Sequence, residues 1–413
     1  MNKESITDTT FVSKINKIKI LNAVRNNGGS TRPEIARRLG LSLPTVTRLV
    51  DSLIHREKLI REKGSGAVER GRPPKLLEFS GDNHYVVGLS IGANHISGVL
   101  TDLNTRILAR QDIPTRSSRG YRALIRSVAR LILDLIRTSQ IQDTDVLGVG
   151  IAIGGLIDKR RNVLQYSAVF DWKEKDLARD LGELVRKPIR FDHTARVMAL
   201  GELWYGIGRR IENFVCVLWG YGIGAAFILE GKPVYGTHGM AGEFGHIPVA
   251  GHSAIRCQCG NYGCLETLAS GWGIANTAKA CLRQKAGGLL YQLCEKNPGR
   301  VTTRLVAQAA AQGDEMCRQI LGQACEYMGM GLATLINLFN PQAIILGGGI
   351  MRSENLVLDR VIQETRKYSL RNLNEEILIQ PVQLGDHCKT MGAVSLILDE
   401  VLNLNILHSP SGG

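Results

Sequence analysis

The chain has 413 residues, 44% hydrophobic and 22% charged, with a formal net charge of +13. That length allows two or three domains with well-buried cores, and the composition is that of a soluble globular protein. Nine cysteines are too few and too scattered for a secreted disulfide scaffold. Six of them, Cys216, Cys281, Cys294, Cys317, Cys325 and Cys388, stand alone, as buried thiols in a reducing compartment do. The segment Met1 to Thr10 is polar, and no apolar run approaches the length of a membrane span, so a cytoplasmic protein is expected.

The charge is uneven. Residues 1–80 hold 16 Lys/Arg against 8 Asp/Glu, while the remainder is close to balance. A basic, periodically apolar segment at one end predicts a folded nucleic-acid-binding module. Ile15, Ile18, Leu21 and Val24 predict a first amphipathic helix ending at Asn26 to Gly29. Thr31 and Glu34 form a capping box for a second helix that includes Arg32, with Ile35, Ala36 and Leu39 on its apolar face. Gly40 makes the turn, and Ser42 caps a third helix from Leu43 to about His55. Val46, Leu49, Val50 and Leu53 point inward, which leaves Pro44, Thr45, Thr47 and Arg48 exposed near its start. Two short helices around a glycine turn predict a helix-turn-helix whose second helix reads the major groove. Leu59 to Lys63 and Lys75 to Phe79 predict the strands of a wing. Between them, Arg70 and Arg72 lie on an extended arm suited to an A·T-rich minor groove.

From about Tyr85 the pattern turns to apolar strands alternating with amphipathic helices, which implies an α/β architecture. Val86 to Leu103 reads as a hairpin, Tyr121 to Thr138 as a helix, and Val146 to Ile153 as a buried strand before Gly154-Gly155. A second cycle of strand, glycine turn and strand begins near Phe214.

The densest chemistry lies between Gly239 and Glu266. His246, Cys257, Cys259 and Cys264 fall within twenty residues, beside Glu243 and Glu266. One imidazole and three thiolates suit a tetrahedral Zn2+ with every position filled, hence a structural ion. The run GEFGH followed by CQCGNYGCLE resembles the signature of the ROK family of repressors and sugar kinases. The likeness extends over nearly all of Val86 to Leu398, including Ile344 to Gly349 and a closing helix after Gly392.

That resemblance implies a duplicated ribonuclease-H-like, actin/hexokinase-type body of two lobes. Expected boundaries are 1–80 for the winged module, 81–200 for the first lobe (completed by about 384–413) and 201–383 for the second. It also implies that Glu243, His246 and Glu266, with His193 nearby, hold sugar hydroxyls. Against the family's kinases the chemistry is altered. The proton-accepting aspartate is replaced by Thr194, whose hydroxyl has no useful basicity near neutral pH. Asp192, expected on the same strand face, is the nearby carboxylate. The first phosphate loop keeps Gly92 but has Ser90, Asn94 and His95 at its polar positions, and the second places Tyr221 between Gly220 and Gly222. Ala168 stands where an asparagine normally contacts the sugar.

The expectation is therefore a regulator without catalytic residues, similar to the family's glucose- and N-acetylglucosamine-responsive repressors. It would bind a double-stranded DNA operator as a homodimer or tetramer and sense a sugar or sugar phosphate in the cleft. Two rivals are a sugar kinase with an attached DNA module, and a DNA-binding scaffold controlled by a regulatory protein partner.

Overall fold

The computed structural model describes residues 13, 16, 17, 19–21, 23, 24, 30–65, 75–116, 118, 120–251, 255–374 and 376–402. Arg70, Arg72, Ile15, Ile18 and the Asn26 to Gly29 stop lie outside the described residues.

The winged module forms as its caps predict. Helix α1 (Arg32–Leu39) starts where the Thr31 amide donates to Glu34 Oε2 at 2.8 Å, and ends at Gly40, whose φ of 64° favours glycine. Helix α2 (Leu43–His55) is capped by the Ser42 hydroxyl. Strands β1 (Ser30–Thr31), β2 (Ile60–Ser65) and β3 (Lys75–Phe79) form the wing in the order β1-β3-β2. Ile20, Leu21, Ile35, Val46, Leu49 and Leu77 are buried in one cluster that continues into Val86, Val99, Val394 and Leu398 of the body. The module is thereby seated on the body through apolar contact as well as through the chain.

The body repeats one sheet twice. Strands β4 (Tyr85–Ile91), β5 (His95–Asp102) and β6 (Ile107–Pro114) form an antiparallel meander, and β7 (Val146–Ile153) and β11 (Ile189–His193) extend it in parallel. A short antiparallel sheet of β8 (Leu156–Asp158), β9 (Val163–Ser167) and β10 (Trp172–Lys175) stands beside it. In the second lobe β12 (Phe214–Trp219), β13 (Ile223–Leu229) and β14 (Lys232–Pro233) form the meander, and β15 (Ala343–Gly347) and β16 (Leu378–Pro381) extend it. The orders β6-β5-β4-β7-β11 and β14-β13-β12-β15-β16 are equivalent. This is the duplicated ribonuclease-H-like body.

Helices build the layers. Val87, Leu89 and Ile91 face α3 (Tyr121–Thr138) and α4 (Leu177–Val185). On the opposite face of that sheet Gly88 and Gly150 bring the backbone against the last helix, Cys388–Leu402. Helix α5 (Thr194–Tyr205) lies between the sheets, its Ala195, Met198 and Ala199 against Phe214, Cys216 and Ile345. Beyond the second sheet, Val215, Val217 and Trp219 pack on α6 (Leu265–Ala269), α7 (Gly271–Gln284), α8 (Gly288–Leu293), α9 (Thr303–Ala311), α10 (Glu315–Phe339) and α11 (Glu354–Tyr368). Helices α12 (Arg371–Asn374) and α13 (Cys388–Leu402) follow.

Helix α13 starts at Cys388, so Gly392 lies inside it and not ahead of it as the sequence suggests. The reason is close approach: Gly392 packs so tightly on the Val197 carbonyl that no Cβ would fit. Among the described residues no helix is long and apolar enough to cross a membrane.

Candidate metal and effector site

The loop after β14 is shaped by its glycines. Gly242, Gly260 and Gly263 all have positive φ. A Cβ on Gly263 would lie 2.0 Å from the Ala250 oxygen, and one on Gly242 would lie 2.0 Å from the Ala225 oxygen. The Cys257 amide donates to the Asn261 carbonyl at 2.8 Å, which closes the knuckle that carries Cys257 and Cys259. His246, Cys257, Cys259 and Cys264 then place their donor atoms within 4.8 Å of one another.

Two spacings test the fit. Cys257 Sγ lies 3.6 Å from His246 Nδ1, and Cys259 Sγ lies 3.6 Å from Cys264 Sγ. A tetrahedral ion with ordinary Zn–S and Zn–N lengths sets such donors about 3.5–3.8 Å apart. The four residues can hold a metal ion. His246 turns Nδ1 to the thiols and Nε2 to Glu243, whose Oε2 is 3.8 Å away.

Around the start of β13 the structure gathers the sugar candidates. A Cβ on Gly224 would lie 2.9 Å from the His193 ring, so His193 packs directly over that strand. A Cβ on Gly245 would lie 2.5 Å from the Ile223 carbonyl oxygen, which holds the Glu243–His246 turn against the same strand. Glu266 accepts the Ile223 amide at 2.9 Å, so one of its oxygens orients the 220–224 turn. Burial lifts the Glu243 carboxyl above its ordinary range, opposed by His246 and Arg196 and reinforced by Glu266. His193 caps α5, accepting the Ala195 amide at Nδ1 over 3.4 Å. Burial first, then Arg196, pushes its pKa down to about 4 against the pull of Asp192, so the ring is neutral at physiological pH.

The expectation that Thr194 shares a strand face with Asp192 is overturned. Strand β11 ends at His193 and Thr194 is the first residue of α5. Asp192 is fully buried, with Lys159 Nζ 2.8 Å from Oδ2 and Arg196 3.0 Å from Oδ1. Burial alone would raise its pKa, but those two cations and the His193 amide hold it below the carboxylate range. A carboxylate so held is a poor proton acceptor. The glycine turns are tight backbone corners: the Gly92 amide donates to the His95 carbonyl at 3.1 Å, and Tyr221 projects outward with 54% of its surface exposed.

Sequence reasoning missed Lys159, Arg196 and Tyr235. Arg196 donates to the Gly239 carbonyl at 2.8 Å and the Ala241 carbonyl at 3.2 Å, and its guanidinium lies 5.0 Å over the Tyr235 ring. It ties the helix between the sheets to the turn that leads into Glu243. The available signal was a lone arginine in the otherwise apolar run Ala195 to Leu200.

In the winged module Pro44 and Arg48 are exposed, and Thr45 and Thr47 are half-buried. The Thr45 hydroxyl pairs with Ser42 Oγ at 2.8 Å. Arg32, expected at the DNA, is committed to Asp51 and Glu62, each at 2.8 Å, with 19% of its side chain exposed. Those acids bridge α1, α2 and the wing, so Arg32 is a structural cation.

The ROK family model matches residues 86–400, and a winged helix-turn-helix DNA-binding model matches residues 14–56. The chain is 27% identical to a xylose repressor of Caldicellulosiruptor bescii over 95% of this chain and 98% of that protein. The crystal structure of a ROK family transcriptional regulator, a homolog of the E. coli MLC protein, superposes with a TM-score of 0.80, covering 95% of this chain and 98% of that one at 24% identity. A ROK family glucokinase from Streptomyces griseus, solved with glucose and AMPPNP, gives 0.68 over 76% of this chain and 98% of that one, at 27% identity.

Proposed function

The chain belongs to the ROK family, and from that premise we propose that it is a DNA-binding transcriptional regulator, a repressor relieved by a sugar. One observation carries this reading. A winged module is joined to a sugar-kinase scaffold whose proton-acceptor position is Thr194, while the neighbouring Asp192 is closed in by two cations. Phosphoryl transfer depends on positioning and charge stabilisation, so a body without its base and with altered phosphate turns keeps the cleft and loses the rate.

In this reading residues 1–80 form the operator-binding unit, 81–200 with about 384–413 the first lobe, and 201–383 the second. Pro44, Thr45, Thr47 and Arg48 face the major groove, and Arg70 and Arg72 follow the minor groove. His193, Glu243 and Glu266 bind the hydroxyls of a sugar between the lobes. A structural Zn2+ on His246, Cys257, Cys259 and Cys264 supplies fixed geometry to this loop and, with four protein donors, leaves no position open for water. His246 then presents Nε2–H toward Glu243 and the ligand. A homodimer or tetramer places two modules on half-sites about 34–36 Å apart or a multiple of that. Sugar binding draws the lobes together and changes that spacing, to the extent that the sugar prefers one arrangement.

The likeness of the body to a glucokinase favours one rival, an ATP-dependent sugar kinase with an added DNA module. Thr194 and the buried ion pairs of Asp192 weigh against it. The reading is tested by selecting duplexes from a random pool with the full chain. Wild type prefers the selected sequence to a scrambled one, and Arg48→Ala loses about 1–3 kcal/mol of that preference at one position. Equal affinity of wild type for both sequences would contradict it.

A further inference from the structure

The charges beside the cleft are distributed in a way that bears on what the cleft admits. Two cations stand behind the turn that leads into Glu243, Lys159 against Gly239 and Arg196 on the Gly239 and Ala241 carbonyls, and both are turned onto Asp192. Arg196 is 2% exposed, and its remaining donors go to the Gly239 and Ala241 carbonyls. Lys159 keeps 30% of its side chain in contact with solvent, with Nζ at 2.8 Å from Asp192 and 3.4 Å from the Phe191 carbonyl. The Tyr235 ring lies under both cations, at 5.5 Å from Lys159 and 5.0 Å from Arg196.

Neither cation is left to meet an anion. The carboxylates at the cleft, Glu243 and Glu266, have no lysine or arginine paired to them among the described residues. His193 is half-buried and acts as a neutral acceptor at the start of α5. A divalent ion held by Cys257, Cys259, Cys264 and His246 would add a further negative charge beside Glu243. The site as a whole is anionic, suits vicinal hydroxyls, and repels a phosphate ester of charge near −2.

We infer that the effector is an uncharged sugar, and that Asp192 is the specificity-determining residue, excluding the sugar's phosphate ester by closing off Lys159 and Arg196. This inference rests on the effector reading above and narrows its ligand class. The carboxylate two residues before the kinase's proton-acceptor position, Thr194, has become a charge filter.

The test is calorimetry on the full-length, metal-loaded chain with D-xylose, D-glucose and N-acetyl-D-glucosamine, and with the 6-phosphates of the latter two. Wild type binds at least one free sugar, and either phosphate ester binds roughly tenfold or more weakly than its parent. In Asp192→Asn the side chain keeps its size but loses its charge, which frees Lys159 while Arg196 stays on the Gly239 and Ala241 carbonyls, so the preference narrows or reverses. A phosphate ester that binds wild type more tightly than its parent overturns the inference, and this comparison does not depend on the variant folding. An unchanged preference in folded Asp192→Asn removes Asp192 from the role. Binding of none of the five compounds contradicts the effector reading itself.

Discussion

Gly201 and Gly392 meet where α5 crosses α13: a Cβ on Gly201 would lie 3.1 Å from the Gly392 amide nitrogen, and one on Gly392 would lie 1.9 Å from the Val197 carbonyl. The two helices fill the space between the sheets and touch backbone to backbone. Gly392→Ala should therefore destabilise the protein by about 2 kcal/mol or more, because neither backbone can give way without moving a sheet. Gly349→Ala, with no atom within 4 Å of the added methyl, is the control and should change stability little. Chemical unfolding of the two variants checks this, and equal stability would show that the crossing relaxes.

The metal reading predicts one equivalent of zinc in the purified chain, measured by mass spectrometry of the metal. Cys257→Ser should lose most of it and melt lower, since a thiolate ligand becomes a poor hydroxyl donor and the knuckle opens. A metal-free wild-type protein with unchanged melting temperature would contradict the site.

His193 gives a pH prediction. Its folded pKa, about 4, lies below the ordinary histidine value, so protonation favours the unfolded chain. The contribution is complete above about pH 6.5 and is lost as pH falls toward 4, with a slope of up to about 1.4 kcal/mol per unit for this one group. Asp192, held below the carboxylate range, adds nothing to the change between pH 7 and 5. Unfolding free energy should fall between those pH values in wild type and fall less in His193→Gln.

Arg32 and Arg48 should separate stability from recognition. Arg32→Ala leaves Asp51 without its cation and Glu62 with Lys75 alone, and should lower the stability of the winged module. Its salt dependence of DNA binding should stay as in wild type. Arg48, exposed and with no ion pair to any described residue, should show the reverse: unchanged melting and altered sequence preference. Salt titrations by fluorescence anisotropy distinguish the two.

Much of the fold was legible because its signals are local. Thr31 and Glu34 cap within one turn, Gly40 needs its left-handed backbone, and the central strands Tyr85–Ile91, Val146–Ile153 and Phe214–Trp219 read as nearly continuous apolar runs. The four residues that could hold a metal ion were legible for the same reason, lying within twenty residues. Side-chain partners distant in the chain were not. Asp51 and Glu62 reach Arg32 across 19 and 30 positions, which hides its commitment from any reading of the helix alone. Lys159 meets Asp192 because β8 follows β7, the strand with which β11 pairs, and so comes beside the end of β11. The start of α5 at Thr194 was missed because His193, an unusual cap, ends the strand and begins the helix without a loop.

The central claim is that sugar occupancy between the lobes governs the grip on DNA. Its most direct test is the operator dissociation constant of the full chain, measured by anisotropy with and without a saturating free sugar. The account predicts weaker operator binding with sugar, by about 5–150-fold for a coupling of 1–3 kcal/mol. An operator affinity that no bound sugar alters would contradict it.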